Sequence, residues 1–361
     1  MNTNGFNLIG YATSPTGLGE DLRSFAAMLN YLELPFSVID VPTEVQGQVN
    51  VGWERLTTED YATTVFFMAA NECKKLAEAH PRLFRSPRKK IGYFLWELPD
   101  FPQEHVPSLR LVDDIWCPTR FVQQAFFAKS RQITLALPLP VVQHESSGRD
   151  FKKELRFAKD AFVVMYMFDI RSTINRKNPH AVLRVFLNFL KTHKNAYLIL
   201  KVNRWQQMGK DALDWIPKNS RIKIVKETLS PAEISDLYQC ADCYLSLHRS
   251  EGFGRTLVEA LQHGLYVVST DFSGPKDFLT SDNALLVEWE KVAVNKTEYP
   301  NLTMDSWWSN PSEESALMQL KRAYELSRKK RNSRGQEDAK EFTHEALANR
   351  YRRILKTYLK P

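Results

Sequence analysis

Between residues 248 and 261 the chain reads His248-Arg249-Ser250-Glu251-Gly252-Phe253-Gly254-Arg255-Thr256-Leu257-Val258-Glu259-Ala260-Leu261. Glu251 and Glu259 stand eight positions apart around two glycines. A strand-like run, Tyr244-Leu245-Ser246-Leu247, leads in, and an apolar helical pattern of Leu257, Ala260 and Leu261 leads out, ending at Gly264. The first backbone N–H groups of a helix are unpaired and carry partial positive charge, so an anion can rest on them. Gly252 and Gly254 let the backbone come close to that anion. The amides from about Gly254 to Thr256, with Arg255 between them, are expected to face it. A carboxylate accepts two hydrogen bonds side by side, which suits a pair of sugar hydroxyls. One glutamate for a ribose diol, one for a second sugar and a diphosphate between them describe a nucleotide-sugar site. The same residues also read as an ordinary strand-to-helix turn with glycines for tight packing. His248, just ahead of the turn, reads equally as a ligand contact or as a satisfied structural histidine.

Such a turn has to be held by a sheet. Apolar strand patterns alternate with helical ones from the start of the chain: Phe6–Tyr11, a helix through Leu32, Phe36–Val41, Thr63–Ala70, a helix through His80, Lys90–Trp96, a helix near Glu104–Val112, Asp114–Cys117, a helix from Thr119, and Ile133–Leu139. The composition turns polar around Val142–Asp150, and a linker is expected there. The alternation then restarts with Ala161–Phe168, a polar loop Asp169–Asn178, a helix Pro179–His193, Ala196–Val202, a helix near Ala212–Ile216, and Arg221–Val225. Ser230-Pro231-Ala232-Glu233 is a capping box that opens a helix to about Cys240. Tyr266–Thr270 is a strand that ends in the turn Ser273-Gly274-Pro275, a secondary candidate site. Helices near Ser312–Lys330 and Gln336–Leu359 close the chain. This order predicts two doubly wound α/β domains with parallel sheets, spanning 1–145 and 146–335, and a helix over 336–361 that packs back toward the first. A second glycine-rich turn, Gly17-Leu18-Gly19, follows the first strand and is too short for a dinucleotide fingerprint.

A chain of 361 residues exceeds the usual single core. Its net charge of +7 is uneven: residues 1–150 hold 14 Lys/Arg against 17 Asp/Glu, which leaves 35 against 25 in residues 151–361. The second half is therefore the one suited to a polyanion, and a diphosphate suffices. No nucleic-acid motif accompanies the charge, and the run Arg328-Lys329-Lys330-Arg331 reads as a solvated face. Cys73, Cys117, Cys240 and Cys243 fit reduced thiols, and Cys240-Ala241-Asp242-Cys243 lacks a second pair for a tetrahedral metal site. The start of the chain lacks the parts of a signal peptide and no run of eighteen apolar residues occurs, so a cytoplasmic location is expected.

With Glu251 and Glu259 around Gly252-Phe253-Gly254, this layout resembles the retaining GT-B glycosyltransferases of the large bacterial mannosyl- and glucosyltransferase family (family 4-like), over nearly the whole chain and most strongly from Phe168 to Val287. The resemblance implies a GT-B fold of two Rossmann-like domains facing a cleft. It assigns Glu251 to the donor sugar and Glu259 to the ribose. It also places diphosphate-holding cations in the loop after the first strand of the second domain. Arg171 and Lys177 match those best and Arg176 is a substitute, while a solvated basic loop is the plainer alternative. Fixed cations there would stabilise the charge that develops on the leaving group, so neither a metal nor a cofactor is expected. Gly17 and Gly19 would face the donor phosphate. One departure is that Trp96-Glu97 stands where many relatives carry a histidine. Trp96 could stack on an acceptor sugar and Glu97 bind its hydroxyls, or they are a buried tryptophan and a helix-capping glutamate.

The resulting expectation is transfer of a hexose from a nucleotide diphosphate sugar, GDP-mannose first and a UDP-sugar second, to a growing surface polysaccharide. Similar transferases from bacterial surface-polysaccharide clusters suggest a lipid-linked acceptor. The first domain would then meet the inner membrane face, with Arg82, Arg85, Arg88, Lys89 and Lys90 as the contact. A non-catalytic sugar-binding or scaffold protein and a nucleotide-sugar epimerase are the competing readings.

Overall fold

When strands alternate with helices, each helix carries the chain back across the sheet and the strands run parallel. The computed structural model describes residues 2–42, 49, 61–85, 88–170, 172–205, 209, 211–299, 302 and 305–359. In it the alternation produces two parallel six-stranded sheets, each in its own unit. One unit comprises Met1–Val142 with Glu341–Pro361, the other Gln143–Lys340. Sequence patterning set the divisions at 145/146 and 335/336.

The first sheet contains β1 (Asn2–Gly10), β2 (Phe36–Asp40), β3 (Tyr61–Phe67), β4 (Lys89–Tyr93), β5 (Asp114–Cys117) and β6 (Ile133–Ala136), in the order β2-β1-β3-β4-β5-β6. Successive side chains of a strand point to opposite faces. Leu8 and Phe67 accordingly join one core cluster, while Ile9 and Phe66 join another. The C-terminal helix His344–Leu355 completes the first of these clusters. Tyr351 packs on Phe25 with ring centroids 6.0 Å apart and donates its hydroxyl to Pro138 O at 2.9 Å. The expected single helix Gln336–Leu359 is in fact two. Ser333–Ala339 ends in the 3-10 turn Lys340–Phe342, and Thr343 caps a new helix by accepting from Ala346 N at 3.3 Å.

The second sheet contains β7 (Phe162–Asp169), β8 (Ala196–Asn203), β9 (Ile222–Val225), β10 (Cys243–Ser246), β11 (Tyr266–Thr270) and β12 (Leu285–Val287), in the order β12-β11-β10-β7-β8-β9. β7 lies between β10 and β8, and its residues are buried along both faces, as its apolar sequence requires. The Ser230 capping box forms: Glu233 N–H donates to Ser230 Oγ at 3.3 Å and Ser230 N–H donates to Glu233 at 2.8 Å, opening the helix Pro231–Gln239. Several features of this unit depart from the sequence pattern. Residues 211–216 form turns instead of a helix, the loop after β7 holds a helical turn, Ile174–Lys177, and an antiparallel hairpin follows β12, built from β13 (Trp289–Ala293) and β14 (Trp307–Pro311). Among the described residues no helix is long and apolar enough to cross a membrane.

Leu355 is fully buried in the first unit's core, whereas Met318 is 58% exposed. Leu355→Ala is expected to lower unfolding free energy by about 2–5 kcal/mol, and Met318→Ala by no more than about 0.5 kcal/mol. Paired denaturant titrations check this, and equal effects would detach the last helix from the core.

Candidate active site

Ligands of open α/β sheets bind where strand order reverses, beyond the carboxyl ends of the strands on either side. In the second sheet that point lies between β7 and β10. The loop after β7 carries Arg176 and Lys177, and the loop after β10 carries Glu251. Arg171 lies outside the described residues.

Topology alone does not bring these charges together; the local backbone does. Thr173 and Asn178, with φ of +48° and +53°, bracket the turn Ile174–Lys177. Asn178 Nδ2 donates to Leu247 O at 2.9 Å, and the Tyr166 hydroxyl donates to Lys177 O at 2.5 Å. Arg249 N–H donates to Arg176 O at 2.8 Å, which stitches the two loops edge to edge. Lys177 Nζ then meets Glu251 Oε1 at 2.5 Å, and Arg176 Nη1 meets Glu251 Oε2 at 3.1 Å. Burial by itself pushes the Glu251 carboxyl up, but the Lys177 ammonium and the Arg176 guanidinium outweigh it and hold the pKa down at about 2. The cluster carries two cations and one anion, so its net charge favours a second anion.

The two cations differ in reach. The Arg176 side chain has no exposed surface and also donates to Ser250 O at 2.8 Å and Ser172 Oγ at 2.8 Å. Expected as an alternative phosphate contact, it is enclosed and reaches Glu251, Ser250 and Ser172. Lys177 keeps 21% of its side chain exposed, enough to meet a ligand directly.

A third loop, after β11, fixes the glutamate's backbone. Glu251 N–H donates to Ser273 Oγ at 2.8 Å and Gly274 N–H donates to Glu251 O at 2.9 Å. A Cβ on Gly274 would stand 2.2 Å from Gly252 O, so only glycine permits this approach. Ser273 has φ +67° and ψ −150°, a conformation close to one reserved for glycine. Sequence reasoning ranked this turn as secondary, and no residue type signalled the strain at Ser273.

Gly254 caps the helix Arg255–Gln262 at φ +91°, with Arg255 and Thr256 half-buried in its first turn. Phe253 turns inward, its ring 5.7 Å from that of Phe278. Glu259 is half-buried on the same helix and accepts from the Tyr238 hydroxyl at 2.8 Å. His248 is fully buried: Nε2–H donates to Phe272 O at 3.3 Å and Nδ1 pairs with Ser246 Oγ at 3.1 Å. Burial lowers its pKa to about 4, so the ring is neutral at physiological pH. Both nitrogens face protein atoms, an arrangement that suits the structural alternative.

In the first unit Gly17 and Gly19 open the helix Gly17–Tyr31 just beyond β1, and Thr16 caps it by accepting from Gly19 N–H at 3.3 Å. A Cβ on Gly17 would meet open space, whereas one on Gly19 would stand 2.3 Å from Ser14 O. Trp96 and Glu97 are half-buried beyond β4; Trp96 donates to Asp100 O at 2.9 Å and its ring meets Phe101 edge-on at 5.1 Å. Glu97 stands well before the next helical turn, Gln103–His105, which has no side-chain cap. In the basic patch Lys89 pairs with Asp114 at 3.0 Å and Lys90 with Asp113 at 3.9 Å, while Arg82 is exposed. The Arg85 side chain lies outside the described residues.

Residues 149–294 match the profile of a family described as Glycosyl transferases group 1. That match lies wholly within the second unit. No match is found among curated proteins. Among solved structures, HepE of Anabaena in complex with UDP-glucose is similar at 15% identity over 98% of this chain and 99% of its own, with a TM-score of 0.66. The sucrose-phosphate synthase of Thermosynechococcus elongatus matches at 12% identity over 98% of each chain, TM-score 0.68. A glycosyltransferase of Rickettsia africae matches at 12% identity over 99% of each, TM-score 0.67. At such identities the likeness establishes the fold: two Rossmann-like α/β units of GT-B type.

Two expectations follow from the charge cluster and the strained turn. Because the folded pKa of Glu251 is depressed, its contribution to stability is complete above the unfolded value, about 4.3, and is lost as pH falls toward 2. Glu251→Gln should flatten the acid limb of the stability curve across that window; an unchanged limb would contradict the ion pairing. At Ser273, glycine relieves the backbone strain and alanine does not, though both lose the bond to Glu251 N. Thermal melts should place Ser273→Gly above Ser273→Ala, by roughly 1 kcal/mol.

Proposed function

We propose that this protein transfers a hexose from a nucleotide diphosphate sugar to a saccharide acceptor, with retention of anomeric configuration and without a metal ion. The observation that carries the reading is the Glu251 carboxylate held between Arg176 and Lys177 beside the helix start at Gly254, with Glu259 on that same helix. In this reading the donor diphosphate sits on the amides from Gly254 to Thr256, with Lys177 and Arg171 as its cationic contacts. Glu251 binds the donor sugar and Glu259 the ribose. As the sugar–phosphate bond breaks, charge collects on the diphosphate, and preplaced cations stabilise it without waiting for solvent to reorient. Glu251 is ionised and pinned by two cations, which suits hydrogen bonding to hydroxyls better than attack on carbon.

GDP-mannose is the donor implied by family resemblance. A UDP-hexose is the second reading, favoured by HepE, whose structures hold UDP-glucose or UDP with glucose. The acceptor is proposed to be a lipid-linked saccharide of a surface polysaccharide, met by Trp96 and Glu97 at the cytoplasmic face of the inner membrane. The exposed Arg82 beside Arg88, Lys89 and Lys90 is the proposed lipid contact.

The test is a thermal-shift panel of UDP, GDP, ADP and TDP and their sugars, with chelator present. A ligand at a hundred times its Kd should stabilise the protein by about 2.7 kcal/mol. Lys177→Ala should abolish the shift, and silence across the panel would overturn the reading. Incubation of the stabilising sugar nucleotide without acceptor then separates transferase from epimerase, since only an epimerase interconverts it.

A further inference from the structure

Glu259 is held more firmly than a surface glutamate on a helix would be. Tyr238, fully buried at the end of the helix Pro231–Gln239, donates its hydroxyl to Glu259 Oε2 at 2.8 Å; the same hydroxyl lies 3.2 Å from Thr256 O. A hydroxyl has one proton, and a charged carboxylate attracts it more strongly than a neutral carbonyl does. Burial, and then the Glu259 charge, raise the Tyr238 pKa well above its usual value, so the hydroxyl stays a donor throughout the working pH range. The ring is fixed as well: it stacks on His263 at 5.1 Å and 19°. His263 Nδ1–H donates to Glu259 O at 2.8 Å, and Nε2 accepts from Ser235 Oγ at 2.9 Å. One aromatic pair therefore grips both the backbone and the side chain of Glu259.

We propose that Tyr238 is a positioning residue for nucleotide recognition, locking the Glu259 carboxylate in the orientation that reads the ribose hydroxyls of the donor. This rests on the site assignment above and deepens it. A free glutamate samples several rotamers and must order on binding, which weakens affinity; a locked one has already done so. A carboxylate offers about four acceptor directions, and Tyr238 takes one, which sets the plane in which the others face a diol. The lock acts on binding of the nucleoside part, remote from the bond that breaks, so it should govern KM and leave the chemical step unchanged.

Tyr238→Phe keeps the ring and its stack on His263 and removes only the hydroxyl. With the nucleotide sugar that the wild type uses, KM should rise about tenfold, with kcat within about twofold. The sharper readout compares inhibition by the nucleoside diphosphate and by its 2′-deoxy form. The wild type should bind the deoxy form markedly more weakly, whereas Tyr238→Phe should lose most of that discrimination. Glu259→Ala should lose it too, and adding Tyr238→Phe to it should cost little more. If the wild type discriminates and Tyr238→Phe does so equally, or if the two substitutions add, the lock is refuted while the site stands. A wild type that binds no nucleoside diphosphate, or that ignores the 2′-hydroxyl, overturns the ribose assignment and the lock together.

Discussion

A carboxylate removed from water must be matched by positive charge or give up its own. Glu251 is matched twice, by a sealed guanidinium and by a half-reachable ammonium, and most of the second unit's local geometry serves that match. Three loops from three parallel strands converge on it: the 172–178 segment after β7, the 247–254 segment from β10 and the Ser273-Gly274 turn from β11. Parallel strands deliver all three loops to one edge of the sheet, and the reversal of strand order between β7 and β10 opens the space between the first two. Removing either partner of a buried pair leaves an uncompensated charge, which typically costs more than the pair contributes. The cluster is thus better understood as holding a shape than as stabilising the fold.

The hairpin β13–β14 belongs to the same account. Ser309 donates from its N–H and hydroxyl to Arg249 O, at 3.0 and 2.7 Å. The Arg249 guanidinium lies over the Trp308 ring at 5.2 Å and pairs with Glu298 at 3.7 Å. Trp289 donates its indole N–H to Asp271 O at 2.7 Å and its ring packs on Phe272 at 4.7 Å. The hairpin therefore grips the residues just before Ser250-Glu251 and just before Ser273. Two of the three converging loops are braced from outside the sheet, which leaves the strained backbone of Ser273 nowhere to relax.

How legible this was depends on the range of the interactions involved. Eleven strands of the two sheets show as apolar runs because burial on one or both faces is written into consecutive residues. β12 has only three residues, and the hairpin strands are separated by a long polar stretch with no tight-turn signal, so neither shows. The acidic pair and the glycines mark the candidate site because their chemistry is local to the sequence. What supports them is not. Ser273 and Thr173 adopt positive φ without being glycine, Arg176 is a buried cation in what reads as a solvated loop, and Tyr238 looks like one more core aromatic in a capped helix. Ser273, Arg176 and Tyr238 are each held by a partner that lies elsewhere in the chain.

The division between Arg176 and Lys177 then has a consequence for the proposed reaction. If both cations were exposed, an arriving diphosphate would compete with Glu251 for both, and a carboxylate stripped of its partners in a buried site would tend to take up a proton. Arg176 cannot leave, because Ser250 O and Ser172 Oγ hold its guanidinium as well. Lys177 can turn from Glu251 toward phosphate while Arg176 keeps the carboxylate charged. In the proposed reaction the lysine would be shared with the arriving anion, and Glu251 would remain an acceptor for sugar hydroxyls. A lysine in place of Arg176 would offer one point charge where a planar guanidinium meets three separate acceptors at once. The sealed position therefore calls for arginine, and the open one is served by lysine, whose flexible stem allows the movement.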